Sequence, residues 1–183
     1  MVTVPPVALG NDNDHNAVQL IRSFRENLMK PQSMIQHACN LASGPSDIVI
    51  ILERMFEDPY YERKEIAQSP TLRAVDDMIR RSTKGTRNLW TVSVLDAYTF
   101  KPGKTTISPT DEACHQMIWE VLNLKKPRVI LTCWDPVDSP STYLSPFGIV
   151  GLECHERIKN EFIDDFMTTI VRSPDPSRLS DIA

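Results

Sequence analysis

Three acids and two tyrosines follow an apolar run near residue 50, and these residue types could do chemistry. The acids are Glu53, Glu57 and Asp58, and the aromatic side chains are Tyr60 and Tyr61. A carboxylate placed there can activate water or stabilise a developing positive charge, and an aromatic ring can stack on a planar ligand. The same composition is typical of a solvated acidic loop, so the residue types alone leave both interpretations open.

A buried strand positions this loop. The run from Ile48 to Leu52 is uninterrupted and mostly β-branched, and it follows the turn-forming residues 43–46. Such a run is typical of a parallel strand covered on both faces. Ligands of open parallel sheets bind beyond the carboxyl ends of the strands. The loop at 53–61 therefore lies where a binding site is expected.

Alternating apolar runs and helical stripes extend this pattern along the chain. They predict helices over about 16–29, 33–41, 70–79, 111–122 and 152–166, and strands over 48–52, 89–95, 128–133 and 168–171. Strands alternating with helices predict a parallel sheet with helices on both faces. We therefore expect an α/β protein, a three-layer α/β/α structure with a four-stranded parallel sheet, with a flexible amino-terminal arm at 1–14 and a single domain at 15–183.

Composition bounds the class of protein. With 41% hydrophobic and 24% charged residues, the 183-residue chain is ordinary for a globular domain. It has no apolar run of the roughly 18 residues that a membrane helix needs. Residues 1–12 lack a basic region and a sufficient apolar region, so we expect no secretory signal. We therefore expect no membrane partner and an intracellular location, nuclear or cytoplasmic. A net charge of −4 argues against general nucleic-acid coating but leaves a local basic groove open.

The four cysteines and a cluster of cations carry weaker signals. The cysteines are scattered without zinc-finger or disulfide spacing, which predicts core thiols, no metal and no cofactor. The cations are Arg80, Arg81, Lys84 and Arg87. They could form a nucleic-acid patch, but cations in the last turn of a helix are favoured by its dipole. We therefore interpret them as structural.

Four loops converge on one rim if the four strands are parallel. They span 53–61, 96–104, 134–148 and 172–180, and nearly all the chemically unusual residues lie in them. Carboxylates, aromatic rings and cations at such a rim could handle water, a planar base and phosphates. A hydrated, salt-bridged rim without a function has the same composition, and the spacing of the residues alone does not distinguish between the two interpretations.

The order of these loops resembles the uracil-DNA glycosylase superfamily over about residues 47–180. Residues 102–133, PGKTTISPTDEACHQMIWEVLNLKKPRVILTC, look like a segment of the iron-sulfur branch, and residues 175–180, DPSRLS, are similar to its HPSPLS loop. The strand DIVIIL followed by EDPYY is similar to the first motif, written GQDPYH or GEAPG in different branches.

The resemblance implies a role for each matching residue. Asp58 or Glu53 would position the water, in two competing registers, and Asp175 occupies the position of the catalytic His. The remaining implied residues are Tyr60, Asp96, Phe100, Ser177 and Leu179 for the base, and Lys101, Lys104 and Arg178 for the DNA backbone.

Departures from the family pattern point to altered activity. Leu52 replaces the glycine of the first motif, Asp96 stands near an Asn that reads the base edge, and Asp175 replaces the His. A carboxylate there would oppose the negative charge that develops on the leaving base. Only Cys114 matches a ligand of the family's iron-sulfur cluster, so no metal cluster is expected.

The sequence therefore supports two functions of different classes, an enzyme that acts on DNA and a binding module. One is a DNA glycosylase-like enzyme that excises a flipped base with weak or lost N-glycosidic hydrolysis. The other is a non-catalytic binding module on the same fold, for nucleic acid or for a protein partner whose identity the sequence leaves open. An unrelated small-molecule enzyme on a similar sheet is a third interpretation.

Overall fold

The computed structural model describes residues 11–54, 69–98, 111–133 and 158–173. Four α-helices lie in these ranges: α1 (Asp12–Asn27), α2 (Gln32–Ala42), α3 (Pro70–Ser82) and α4 (Asp111–Lys125). Five strands form one sheet: β1 (Ile48–Arg54), β2 (Ser93–Tyr98), β3 (Val129–Cys133), β4 (Ile158–Ile163) and β5 (Phe166–Ser173). A short 3-10 helix, Leu89–Thr91, leads into β2.

The sheet is mixed, with the strand order β2-β1-β3-β5-β4. β1 pairs in parallel with β2 and β3, and β3 pairs in parallel with β5, whereas β4 is antiparallel to β5. The predicted α/β class is confirmed. The sheet itself differs from the prediction, because it has five strands and is mixed rather than four-stranded and wholly parallel.

The fifth strand lies within the helix predicted at 152–166. Residues 158–163 form β4, and a two-residue turn at Asp164 and Asp165 leads directly into β5. Asp164 has a φ of 47°, a left-handed conformation that Asp tolerates better than most residues. The apolar residues Ile158 and Phe162 fit helical spacing, but they also fit one face of a strand. The hairpin pairs β4 with β5, and the helix prediction was therefore wrong over these residues.

The core has two layers, one on each face of the sheet. In β1, Val49 and Ile51 pack with α1, α2 and α4, while Ile50 and Leu52 pack with α3 and the segment before β2. All four side chains are buried. The uninterrupted apolar run therefore forms a strand covered on both faces, as predicted.

Helix α1 begins at Asp12, four residues before the predicted start at 16. Asn11 caps it, since its side chain accepts from the backbone N–H of Asp14, whose carboxylate in turn accepts from the backbone N–H of Asn11. This reciprocal capping box satisfies two backbone donors that the helix leaves unpaired. Asp12 and Asp14 therefore belong to the helix rather than to an arm.

The cations in the last turn of α3 and just after it are partly used in ion pairs. Arg80 donates to Asp76 at 2.6 Å, and both terminal nitrogens of Arg87 bond the carboxylate of Asp47. Arg87 also donates to the carbonyl oxygen of Thr91 at 3.3 Å. Arg87 thus links the segment before β2 to the residue that precedes β1, in line with a structural role.

A buried ion pair joins α1 to the end of α4. The Lys125 Nζ donates to the Asp14 carboxylate at 2.7 Å and to the carbonyl oxygen of Gly44 at 3.0 Å. Ser46 also donates a short hydrogen bond to Asp14. Both charged side chains are almost wholly buried. One carboxylate therefore ties together the start of α1, the end of α4 and the turn that leads into β1.

Gly44 is required in this turn by close packing. A Cβ atom at residue 44 would lie 1.9 Å from the carbonyl oxygen of Val92, just before β2. This is a backbone contact, so no side-chain rotation could relieve it. The carbonyl that receives Lys125 is thus held in place by the strand beside it.

We expect Asp14→Asn to lower the free energy of unfolding by about 3 kcal/mol, because the Lys125 ammonium would stay buried without its counter-charge. Asn can keep the capping geometry, so the change isolates the charge. Urea unfolding of Asp14→Asn and of Asp12→Asn, an exposed acid in the same turn, gives the comparison. Adding Lys125→Met to Asp14→Asn should recover much of the loss.

The Asp14–Lys125 pair should make the stability difference between wild type and Asp14→Asn depend on pH. Burial alone would raise the pKa of Asp14, but hydrogen bonds from Lys125 and Ser46 outweigh it, and the pKa lies below its ordinary value of 3.8. The stabilisation is therefore complete above that value and is lost as the pH falls below it. A difference between wild type and Asp14→Asn that stayed constant to low pH would contradict the ion pair.

Candidate functional site

The carboxyl ends of four parallel strands lie at one edge of the sheet. Asp96 of β2 is aligned with Leu52 of β1, Leu52 with Cys133 of β3, and Cys133 with Ser173 of β5. These four residues form one row across the sheet. Beyond this row the chain enters the segments in which the sequence places its chemically unusual residues, so we call it the carboxyl edge.

Two of the predicted site residues lie in described strands. Asp96 is in β2, and Glu53 is the sixth residue of β1, next to the aligned row. The remaining predicted residues lie outside the described residues: Asp58, Tyr60, Phe100, Lys101, Lys104, Asp175, Ser177, Arg178 and Leu179. Their roles stay predictions, and Asp96 is the predicted side chain whose surroundings the structure describes.

Asp96 is buried and forms an ion pair with Arg25 of α1. Its carboxylate lies 3.6 Å from the Arg25 guanidinium, and each side chain is only 2% exposed. A buried charge of either sign is strongly unfavourable without an opposite charge. Asp96 therefore serves as the counter-ion of Arg25.

Arg25 was not identified from the sequence as a buried charge, although its position in α1 indicates one. It lies four residues after Ile21 and eight after Ala17, on the face of α1 that packs against the sheet. A cation in an apolar stripe predicts a buried acid opposite it. The stripe does not say which acid, since Asp96 is 71 positions away along the chain.

A cavity of about 10 Å³ lies beside this ion pair. Its walls include Ile21 and Leu41 from the helices and Val94 from β2, together with Arg25 and Asp96. This volume is about that of one water-sized probe. This cavity is too small for a nucleobase.

A second buried cation follows α1. Lys30 is 6% exposed. Burial lowers its pKa, and the nearby Arg25 lowers it further, while Cys114 at the start of α4 acts in the opposite direction. Arg25 and Lys30 are therefore close enough for their positive charges to repel each other.

The described residues offer no evident metal chemistry. No group of three or more His, Cys, Asp or Glu side chains among them could hold a metal ion. Cys39, Cys114 and Cys133 are buried, which agrees with the core role predicted for Cys114 and Cys133. Burial raises the pKa of the Cys39 thiol, so this thiol is not activated as a nucleophile.

The fold and this site define an α/β protein with four parallel strand ends at one edge and a buried ion pair behind them. No protein-family model matches the chain, and a comparison with curated proteins gives no match either. No helix in the described ranges is long and apolar enough to cross a membrane.

We expect Asp96→Asn to destabilise the protein by about 3 kcal/mol, because it removes the negative charge that lies 3.6 Å from the buried Arg25 guanidinium. Adding Arg25→Met should recover most of that loss. Asp47→Asn is the matched control, since the Asp47–Arg87 pair is one-third exposed and its loss should remove less than about 1 kcal/mol. Equal losses at Asp96 and Asp47 in urea unfolding would contradict the structural role of the buried pair.

Proposed function

We propose that this chain is a divergent relative of the uracil-DNA glycosylases that binds DNA at the carboxyl edge and cleaves N-glycosidic bonds weakly or not at all. The observation that carries the proposal is the parallel pairing of β1, β2, β3 and β5. These strands lead directly into the four segments that resemble the family's loops. Segments that are far apart in sequence therefore start from one edge.

The proposed chemistry follows from the residue types in those segments. Asp58 or Glu53 would orient water toward the sugar, and Tyr60 and Phe100 would stack on an extruded base. Ser177 and Leu179 would contact the extruded base or fill the space that it leaves in the DNA duplex. Lys101, Lys104 and Arg178 would contact phosphates, which positions the protein on DNA without reading sequence.

Two departures from the family pattern support weak or absent cleavage. Asp175 would place a carboxylate where the leaving base becomes negative, which removes a hydrogen-bond donor and adds repulsion. Asp96 occupies the position near the base-reading Asn, and it is committed to Arg25 inside the protein. An ionised carboxylate also only accepts hydrogen bonds, whereas an amide both donates and accepts.

The same ion pair favours the alternative function. If Asp96 holds α1 against β2 rather than contacting a base, the carboxyl edge could keep its shape without any base chemistry. The chain would then be a non-catalytic binding module for nucleic acid or for a protein partner.

We expect wild type to release little or no base from DNA duplexes that contain uracil, hypoxanthine or a mismatch, and Asp175→His to increase the release. A donor of this kind is typically worth about 3 to 4 kcal/mol, or on the order of a hundredfold or more in rate. Abasic product is measured at low salt for wild type, Asp175→His and Asp175→Asn. The asparagine variant is the matched control, since it removes the negative charge without supplying the imidazole.

A histidine variant no better than asparagine would rule out this role for residue 175. DNA affinity measured over a series of salt concentrations then separates the remaining functions. Affinity that falls steeply with salt supports DNA binding through phosphates. No DNA affinity at any salt concentration would remove the nucleic-acid proposal and leave the protein-binding module.

A further inference from the structure

The strand β4 forms an open edge of the sheet with an apolar face. It is the last strand in the described sheet, and no described strand pairs with its outer side. Ile158 and Phe162 of β4 are 67% and 64% exposed, and Met167, the neighbour of Phe162 on β5, is 60% exposed. An exposed edge strand with apolar side chains is a template for pairing with another chain.

The hairpin determines which backbone groups of β4 point outward. Ile163 and Phe166 flank the two-residue turn and are directly paired, so their backbone groups bond each other. By alternation, Lys159 and Glu161 also direct their N–H and C=O groups toward β5. Asn160 lies at a position without these bonds, where side chains are closer, and its side chain accepts from Thr169 at 2.8 Å. Ile158, Asn160 and Phe162 therefore present backbone groups to the open edge.

We propose that a second copy of this chain pairs with β4 along this edge, antiparallel and centred on Asn160. This register places Asn160 opposite Asn160 of the second copy, and Ile158 opposite Phe162 of the second copy, twice by symmetry. All three positions carry outward backbone groups, so each pairing can form the hydrogen bonds of an antiparallel ladder.

The charges of β4 complement each other in the same register. Lys159 lies opposite Glu161 of the second copy, and Glu161 opposite Lys159, on the face away from Ile158 and Phe162. Within one chain these two side chains already form an ion pair at 2.6 Å. Pairing two strands would create a group of two cations and two anions. Opposite charges that face each other across strands stabilise the pairing.

Neighbouring registers lack this complementarity. A centre on Lys159 or on Glu161 also satisfies the outward backbone groups, but it places like charges directly opposite each other, which is destabilising. If the two-fold axis lay between two residues, each residue with outward backbone groups would face a residue with inward backbone groups. The hydrogen-bond ladder could then not form. The register centred on Asn160 is thus the one in which backbone, charge and apolar face agree.

The apolar face becomes continuous across this interface. Phe162 is aligned with Met167 on β5, and Ile158 is aligned with Val171. In the dimer, each cross-strand row would run from Met167 through Phe162 to Ile158 and Val171 of the second copy. Each row would shield apolar side chains that the single chain leaves exposed, which favours association.

Two charge variants test the proposal without changing the fold. Lys159→Glu makes both positions acidic, and Glu161→Lys makes both basic, so each variant should self-associate at least about tenfold more weakly than wild type. Mixed together, they should form a one-to-one heterodimer of about wild-type affinity, because every facing pair is again opposite in charge. Neither variant keeps the ion pair within its own chain, so recovery in the mixture can come only from contacts between chains.

The measurement is sedimentation equilibrium of wild type, of each variant and of their equimolar mixture. A wild type that stays monomeric at its highest soluble concentration would overturn the proposal, as would a mixture that associates no better than its components. Asn160→Pro and Asn160→Ala form a second pair. Both lose the bond from Thr169, but only proline removes the outward N–H, so association should be lost in the proline variant and kept in the alanine variant.

Discussion

The structure depends on two buried charges on one face of α1. Asp14 in its first turn pairs with Lys125 at the amino end of the sheet, and Arg25 in its last turns pairs with Asp96 toward the carboxyl end. Eleven residues separate the two charges, or about 16 Å along the helix. Buried ion pairs add little stability over a well-packed apolar core, but an unpaired buried ion is strongly unfavourable. The two pairs therefore determine how α1 lies on the sheet, because any shift of the helix would separate both.

Helices and strands could be predicted from the sequence wherever an apolar pattern fits only one type of secondary structure. The runs around Val49 and Ile130 are too short and too uniformly apolar for a surface helix, and Ser69-Pro70 marks the start of α3 unambiguously. The segment at 158–163 has two interpretations, since Ile158 and Phe162 fit a helix face as well as a strand face. Pairing with β5 decides between them, and that interaction depends on the tight turn at Asp164 rather than on periodicity.

The site was less predictable than the fold, because its charges are paired over long sequence distances. The sequence placed Asp96 at the end of a strand, but nothing local connects it to Arg25. Asp14 was likewise assigned to the arm, since its partner Lys125 is 111 positions away. Arg25 and Asp14 carry the same signal, because each is a charged residue in line with the apolar stripe of α1. Such a residue predicts a buried partner, and only the packing of the helix shows which one.

The two proposed interfaces use different parts of the same sheet. DNA would bind at the carboxyl edge, where β1, β2, β3 and β5 end, whereas the second copy would add strands beside β4. Because β4 is antiparallel to β5 and would be antiparallel to its own copy, the β5 strands of the two chains would run in opposite directions. The two carboxyl edges would then lie on opposite sides of the extended sheet. A dimer of this kind could not place both edges against one straight stretch of duplex, so each chain would bind a separate segment, and dimerisation would link two segments rather than tighten binding to one.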